Sequence, residues 1–171
     1  MVDVVGQIEG IEVASRLKIG GLLVIDTPGH EAFMNLRKRG GSIADFAILV
    51  IDITAGVMPQ TIESIEILRS RKTPFVIAAN KIDLTRGWRP SSSLSFLKAI
   101  KEQEPGTRKL LEQKLYDIVG QVSKLGLTTD LFYSLSDFKD KNPVVPVSAK
   151  TGEGIAELIA VMSGMIQSFQ T

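Results

Sequence analysis

Four short apolar runs, at positions 22–25, 46–51, 75–79 and 144–147, stand out from an otherwise mixed chain. Each is too short for a buried helix and rich in branched side chains, so each reads as a strand buried on both faces. Between the runs the apolar period changes. Residues 60–71 bring Ile62, Ile65 and Leu68 to one helical face, with Pro59 suited to the first turn. Residues 31–39 form an earlier candidate helix. The best periodic signal is Leu111, Leu115, Ile118, Val122 and Leu125, which recur at steps of four and three until Gly126 stops the helix. A last helix, from about 153 to 169, would turn Ile155, Leu158, Ile159, Met162 and Ile166 inward. Ile11, Val13 and Leu17 suggest one more strand, antiparallel at an edge.

Strands that alternate with helices pair in parallel through right-handed crossovers, which predicts an open α/β sheet covered on both sides. Ligands in such sheets sit at the carboxyl ends of the strands. One connection is far longer than a crossover needs, so residues 86–142 are read as an insertion with its own helix. Within it, residues 87–93 form an exposed loop, Trp88 anchors that loop, and residues 94–103 make a short helix.

Composition narrows the choice of chemistry. At 171 residues and 44% apolar, the chain is read as one unit with a real core. Its twenty basic and nineteen acidic residues leave a formal charge of +1, so any nucleic-acid contact must come from a local patch. There is no cysteine, which excludes disulfides, thiolate metal sites and a cysteine nucleophile and is compatible with the cytoplasm. No apolar run approaches the roughly 20 residues that span a bilayer, so no membrane association is expected.

The polar residues that follow the strands carry the candidate chemistry. After residues 22–25 come Asp26, Thr27, Pro28, Gly29 and His30; after 75–79 come Asn80, Lys81, Ile82 and Asp83; after 144–147 come Ser148, Ala149 and Lys150. Three polar loops thus meet at one edge of the sheet, and each suits part of a guanine nucleotide. A carboxylate at Asp83 can accept from two donors on the guanine edge at once. Asn80 would tie the loops together, and the stem of Lys81 can cover one face of the base or ribose while Lys150 covers the other. The Ala149 N–H can donate to the guanine carbonyl. Asp26 is placed to hold Mg²⁺ through water, and Gly29, lacking a Cβ, lets its amide approach a terminal phosphate.

In this order, Asp26-Thr-Pro-Gly-His30, Asn80-Lys-Ile-Asp83 and Ser148-Ala-Lys150 resemble the third, fourth and fifth guanine-nucleotide motifs of the translational GTPases. Further stretches are similar to the GTP-binding domain of the archaeal and eukaryotic initiation factor 5B family: Glu31-Ala32-Phe33, residues 36–41, Pro59-Gln60-Thr61, Gly87-Trp88, residues 148–155 and the helix around 110–125. The resemblance implies a P-loop-GTPase-like α/β domain that binds GTP or GDP with Mg²⁺ and belongs to a cytoplasmic initiation factor promoting ribosomal subunit joining. It also implies that His30 orients the attacking water and that residues 27–39 form a switch ordered by the terminal phosphate. Arg37, Lys38 and Arg39 would then be a docking patch for ribosomal RNA on the large subunit. Other initiation factors and initiator tRNA would be met through further domains.

The chain departs from the family pattern in one respect. It contains no Gly-x-x-x-x-Gly-Lys-Ser/Thr stretch, and no threonine precedes Thr27 to serve as the family's switch threonine. Residues 1–171 are therefore read as a partial GTP-binding domain, missing the phosphate-loop strand that the family places between the strands at 22–25 and 46–51. Such a gap would expose unpaired backbone groups. The expectations are that residues 1–5 or a strand from a second copy fill the slot and that the isolated 171 residues do not hydrolyse GTP. The alternative function is a truncated or degenerate fragment acting only as a non-catalytic binding or structural module.

Overall fold

A computed structural model of the chain describes residues 23–27 and 44–169. Its centre is a four-stranded parallel sheet in the order β1-β2-β4-β3, formed by β1 (Ala47–Asp52), β2 (Phe75–Asn80), β3 (Thr129–Leu131) and β4 (Asn142–Pro146). The helices between them are α1 (Pro59–Ser70), α2 (Phe96–Lys101), α3 (Pro105–Ser123) and α4 (Ile155–Phe169). Among the described residues no helix is long and apolar enough to cross a membrane.

The sheet forms because β2 and β4 are apolar on both faces and parallel pairing through helical crossovers covers both. On one face Leu49, Ile51, Phe75, Ile77, Ala79 and Val144 meet Ile65 and Leu68 of α1 and Leu111, Leu115, Ile118 and Val122 of α3. On the other face Val76, Ala78, Val145 and Val147 meet Leu158, Val161 and Met165 of α4. The two layers thus leave the carboxyl ends of β1, β2 and β4 side by side.

The helix starts are written locally. Pro59 opens α1 where its missing N–H costs nothing, and Thr61 and Met58 close the first turn. The Ser95 hydroxyl accepts the Lys98 N–H at the start of α2. Helix α3 begins at Pro105, earlier than the apolar stripe indicates, because its first turn is polar and only Thr107 of that turn is buried. It ends before Gly126, whose φ of +85° suits glycine.

Two helix faces differ from expectation. Ile62 is 36% exposed, while Thr61, Ile65, Ile67 and Leu68 form the buried face of α1. On α4 the buried set is Ala156, Glu157, Leu158, Val161, Met162, Ser163 and Met165, so Ile155, Ile159 and Ile166 lie at its margins. Leu158, Val161, Met162 and Met165 recur at steps of three, one and three to make the apolar part of that face, and Glu157 joins it because its carboxylate accepts from Ser95 and Leu97.

The strand expected at residues 22–25 does not form over its described part. Leu23, Val24 and Ile25 are in no strand and are 89%, 82% and 47% exposed. A strand interior to a sheet needs a partner on each side, and among the described residues nothing pairs with the outer edge of β1. That edge also leaves Ile48 and Val50 exposed, since α4 reaches over β2 and β4 only. Residues 1–5, offered as the strand for this slot, and the candidate elements at 11–17 and 31–39 lie outside the described residues.

The corrected face of α1 and the stripe on α3 give a paired test. Leu115→Ala empties a site 1% exposed in the main core and is expected to cost about 2–5 kcal/mol, while Ile62→Ala should cost under about 1 kcal/mol. Urea unfolding of the two variants measures both; equal costs would place Ile62 back in the core.

Candidate guanine-recognition site

The site begins with β-sheet register. Asp52 of β1 lies beside Asn80 of β2, and Ala79 lies beside Pro146 of β4. Beyond the last paired residues the two inner strands continue to hold each other: the Val147 N–H donates to Ala79 O at 2.8 Å, and the Ile82 N–H to Val147 O at 3.3 Å. Three strand ends are thereby stopped at the same level, and the loops that leave them must face one another.

The loop after β2 turns at Lys81, whose φ of +72° and ψ of 34° put it in the left-handed region. For a residue with a Cβ this costs roughly 1–2 kcal/mol. The cost is offset by what the turn permits. Ile82 is driven into the core at 0% exposure, and Asp83 is brought under the loop that follows β4. There the Ser148 hydroxyl donates to Asp83 Oδ1 at 2.7 Å, while the Ala149 N–H donates to Asn80 Oδ1 at 3.0 Å. The two loops are therefore latched twice, by two separate side chains.

The latch is held from behind by a tight turn. The Ser148 N–H donates to Glu153 O at 2.8 Å, the Gly152 N–H to Ser148 O at 2.8 Å, and the Thr151 N–H to the Ser148 hydroxyl oxygen at 3.1 Å. Gly154, at φ +80°, passes so close to β4 that a Cβ would collide with the Pro146 carbonyl oxygen. Only glycine can occupy that position.

Asp52, at the end of β1, is a site residue that the motif pattern does not include. Its Oδ2 binds Lys81 Nζ at 2.7 Å, and its Oδ1 accepts from the Thr54 N–H at 2.8 Å and the Thr54 hydroxyl at 2.6 Å. Burial alone would raise its pKa. The hydrogen bonds from Lys81 and Thr54, with the ammonium charge, outweigh that and hold it down at about 2. A signal for it exists in the sequence: Asp52 is the first polar residue after an apolar run, as Asn80 is after its own.

Of the predicted base-side residues, Asn80, Lys81, Asp83, Ser148, Ala149 and Lys150 are gathered at this edge, with Lys81, Ala149 and Lys150 exposed and Asn80 and Asp83 half-buried. Two engagements depart from the expected ones. The Ala149 N–H is taken by Asn80, and Lys81 reaches to Asp52 because a carboxylate lies within its span. On the phosphate side, Asp26 is exposed and Thr27 half-buried, both outside the sheet. Pro28, Gly29, His30, Arg37, Lys38 and Arg39 lie outside the described residues.

A parallel sheet whose strand ends present Asn-Lys-Ile-Asp and Ser-Ala-Lys, locked through their own side chains, is the arrangement of a GTP-binding domain. The family described as the elongation factor Tu GTP binding domain matches residues 9–168, and the chain belongs to it. Within that family it is similar to the probable translation initiation factor IF-2 of Aeropyrum pernix, 54% identical over 154 residues that make up 90% of this chain and 25% of that protein. It is also similar to the protein of the same name from Hyperthermus butylicus, 55% identical over 155 residues, 90% of this chain and 25% of that one. Among solved structures it matches the GDP-bound aIF5B of Aeropyrum pernix with a TM-score of 0.81 and 55% identity, over 90% of this chain and 26% of the other. The chain thus spans about a quarter of the length of these relatives.

The Asp52 pair sets a pH dependence. Because the folded pKa of about 2 lies below the ordinary 3.8, this carboxylate stabilises the fold fully above pH 3.8 and loses that contribution as pH falls through 2. In Asp52→Asn the contribution is gone at every pH. The urea midpoint of the variant should therefore lie below wild type at pH 6 and converge on it near pH 2, and parallel curves from pH 6 to pH 2 would count against the pairing.

Proposed function

We propose that this chain is the guanine-nucleotide-binding and GTP-hydrolysing domain of a cytoplasmic translation initiation factor that promotes joining of the ribosomal subunits. The observation that carries the reading is the double latch: Ser148 on Asp83 and Ala149 on Asn80 hold the two loops that would read a guanine edge. Asp83 keeps lone pairs on both oxygens after accepting from Ser148, enough to take the N1–H and the exocyclic N–H of guanine together. Adenine offers no such donor pair on that edge. The 55% identical aIF5B is GDP-bound, which supports the same ligand class here.

On the phosphate side the proposed parts are Asp26, Thr27, Pro28, Gly29 and His30. Among the described residues no group of three or more histidine, cysteine, aspartate or glutamate side chains gathers to hold a metal. A single exposed carboxylate such as Asp26 nevertheless suits Mg²⁺, which prefers water and phosphate oxygens to an all-protein cage. Bound there, the ion would neutralise charge on the phosphates. His30 would orient a water for attack, and the amide of Gly29 would sense the terminal phosphate. Arg37, Lys38 and Arg39 are proposed to meet ribosomal RNA of the large subunit, with initiator tRNA and other factors bound by further parts of the protein. Self-association through the edge of β1, which no described residue pairs with, is the remaining proposed contact.

The test is titration of the full-length protein with fluorescent GDP and GTP in Mg²⁺, followed by turnover. Asp83→Asn removes a charge-assisted pair and should weaken GDP at least about tenfold while lowering the preference over inosine diphosphate, which lacks the exocyclic amine. His30→Ala should leave GDP affinity near wild type and reduce turnover about 10²-fold or more. An Asp83→Asn protein with unchanged selectivity would overturn the base assignment, and unchanged turnover in His30→Ala would remove the histidine from the mechanism.

A further inference from the structure

Two acidic side chains outside the base-reading motifs are buried against the start of the insertion. Glu153 is 0% exposed and Glu157 2%. A buried carboxylate is costly unless its lone pairs are filled, and here nearly all the donors come from one segment, residues 88–97. Glu153 Oε2 accepts from the Trp88 indole N–H at 2.9 Å and the Thr151 hydroxyl at 3.1 Å, and its Oε1 accepts from the Ser91 N–H. Glu157 Oε1 accepts from the Ser95 hydroxyl at 2.6 Å and the Leu97 N–H at 3.1 Å. In return, the Leu94 carbonyl accepts from Gly154 and Ala156, whose N–H groups open α4.

Glu153 faces both ways. Its side chain holds the insertion, and its backbone carbonyl holds Ser148, whose hydroxyl holds Asp83. The path from the Trp88 indole to the Asp83 carboxylate therefore runs through one residue and one serine, with every link a short hydrogen bond. The two sides are also in van der Waals register, because a Cβ on Gly152 would lie 2.7 Å from Leu94 Cδ2.

We propose that Glu153 is a positioning residue for guanine selectivity, through which the segment around Trp88 sets the placement of Ser148 and hence of Asp83. This rests on the guanine-binding reading above. It assigns the long insertion a task at the site, since the base-reading loop takes its position from the insertion as well as from the sheet. Trp88 is the only tryptophan in these 171 residues, and its indole N–H is committed to this contact.

The experiment compares wild type, Glu153→Gln, Trp88→Phe and Asp83→Asn in the full-length protein. It reads GDP affinity, the GDP-to-inosine-diphosphate ratio and the thermal midpoint. Glutamine keeps the size of Glu153 but turns an amide donor toward either the Trp88 or the Ser91 N–H, so GDP affinity should fall about three- to tenfold and the ratio at least about threefold. Trp88→Phe, which removes one donor and keeps an aromatic ring, should move the ratio in the same direction by less, and it decides the matter if Glu153→Gln does not fold. A lowered midpoint with an unchanged ratio in both variants would make Glu153 a stability brace only and overturn the proposal, provided Asp83→Asn still changes the ratio. If Asp83→Asn leaves the ratio unchanged, the guanine reading falls and this inference with it.

Discussion

Everything at the carboxyl edge depends on the parallel pairing of β2 with β4. That pairing is short, from Ile77 to Ala79 on one strand and Val144 to Pro146 on the other, and it is extended by the bond from the Val147 N–H to Ala79 O. Once it is made, Asn80 and Ser148 leave their strands side by side. The side-chain latch of Asn80 to Ala149 and Ser148 to Asp83 then forms between groups already in reach, with little further loss of freedom. The apolar core supplies this precision because Ile77, Ala79 and Val144 are packed against α1 and α3 while Val76, Ala78 and Val145 are packed against α4. Neither neighbour can slide along the other without moving one face out of its layer.

The insertion is joined to this core by a different kind of force. Helix α3 contributes the apolar stripe Leu111, Leu115, Ile118 and Val122 to the main cluster, which anchors the far part of the segment chiefly through burial, with the Val57 N–H to Gln121 Oε1 and Arg69 to Leu125 O bonds at its margin. The near part, around Trp88 to Phe96, is fixed by the buried acids at and just before the start of α4. Burial is non-directional and tolerates small shifts, whereas a buried carboxylate bonded to two or three donors does not. The stretch that abuts the loop after β4 is thus held by the more exacting of the two interactions.

How much of this was legible in the sequence follows from the same distinction. Strands at 46–51, 75–79 and 144–147 and helices over 60–71 and about 111–125 are governed by apolar periodicity, and they appear within a few residues of where it puts them, save that α3 opens earlier. The motif residues Asn80, Asp83, Ser148 and Ala149 were legible because they stand on or directly after those strands. Periodicity failed where a polar residue is buried for a specific partner, as Glu153 and Glu157 are at and just before the start of α4. It also failed at β3, three residues long, whose only buried member is Leu131, too little pattern for a strand. Asp52 belongs to none of the three motifs, and what marks it is only that it ends a strand beside two others. The strand read at 22–25 has the right composition, yet Leu23, Val24 and Ile25 are exposed, since composition cannot supply a pairing partner.

The engagement of Ala149 and Lys81 bears on how a base would be received. A guanine that takes the Ala149 N–H must share it with Asn80 Oδ1 or replace that oxygen, and a Lys81 stem laid over the base must keep or release Asp52 Oδ2 at 2.7 Å. Exchanging one hydrogen bond for another of similar strength changes free energy far less than filling an unpaired donor, typically by about 1 kcal/mol or less. On the proposed reading, the Ala149 and Lys81 contacts would therefore be weak sources of net affinity for the base. Asp83 differs: Ser148 occupies only one lone pair of one oxygen, so the bonds it would accept from guanine are additions rather than exchanges. On the proposed reading, discrimination between bases would be concentrated on one carboxylate, and what fixes that carboxylate, Ser148 from the front and Glu153 from behind, would matter more to selectivity than the groups that would touch the remainder of the ring.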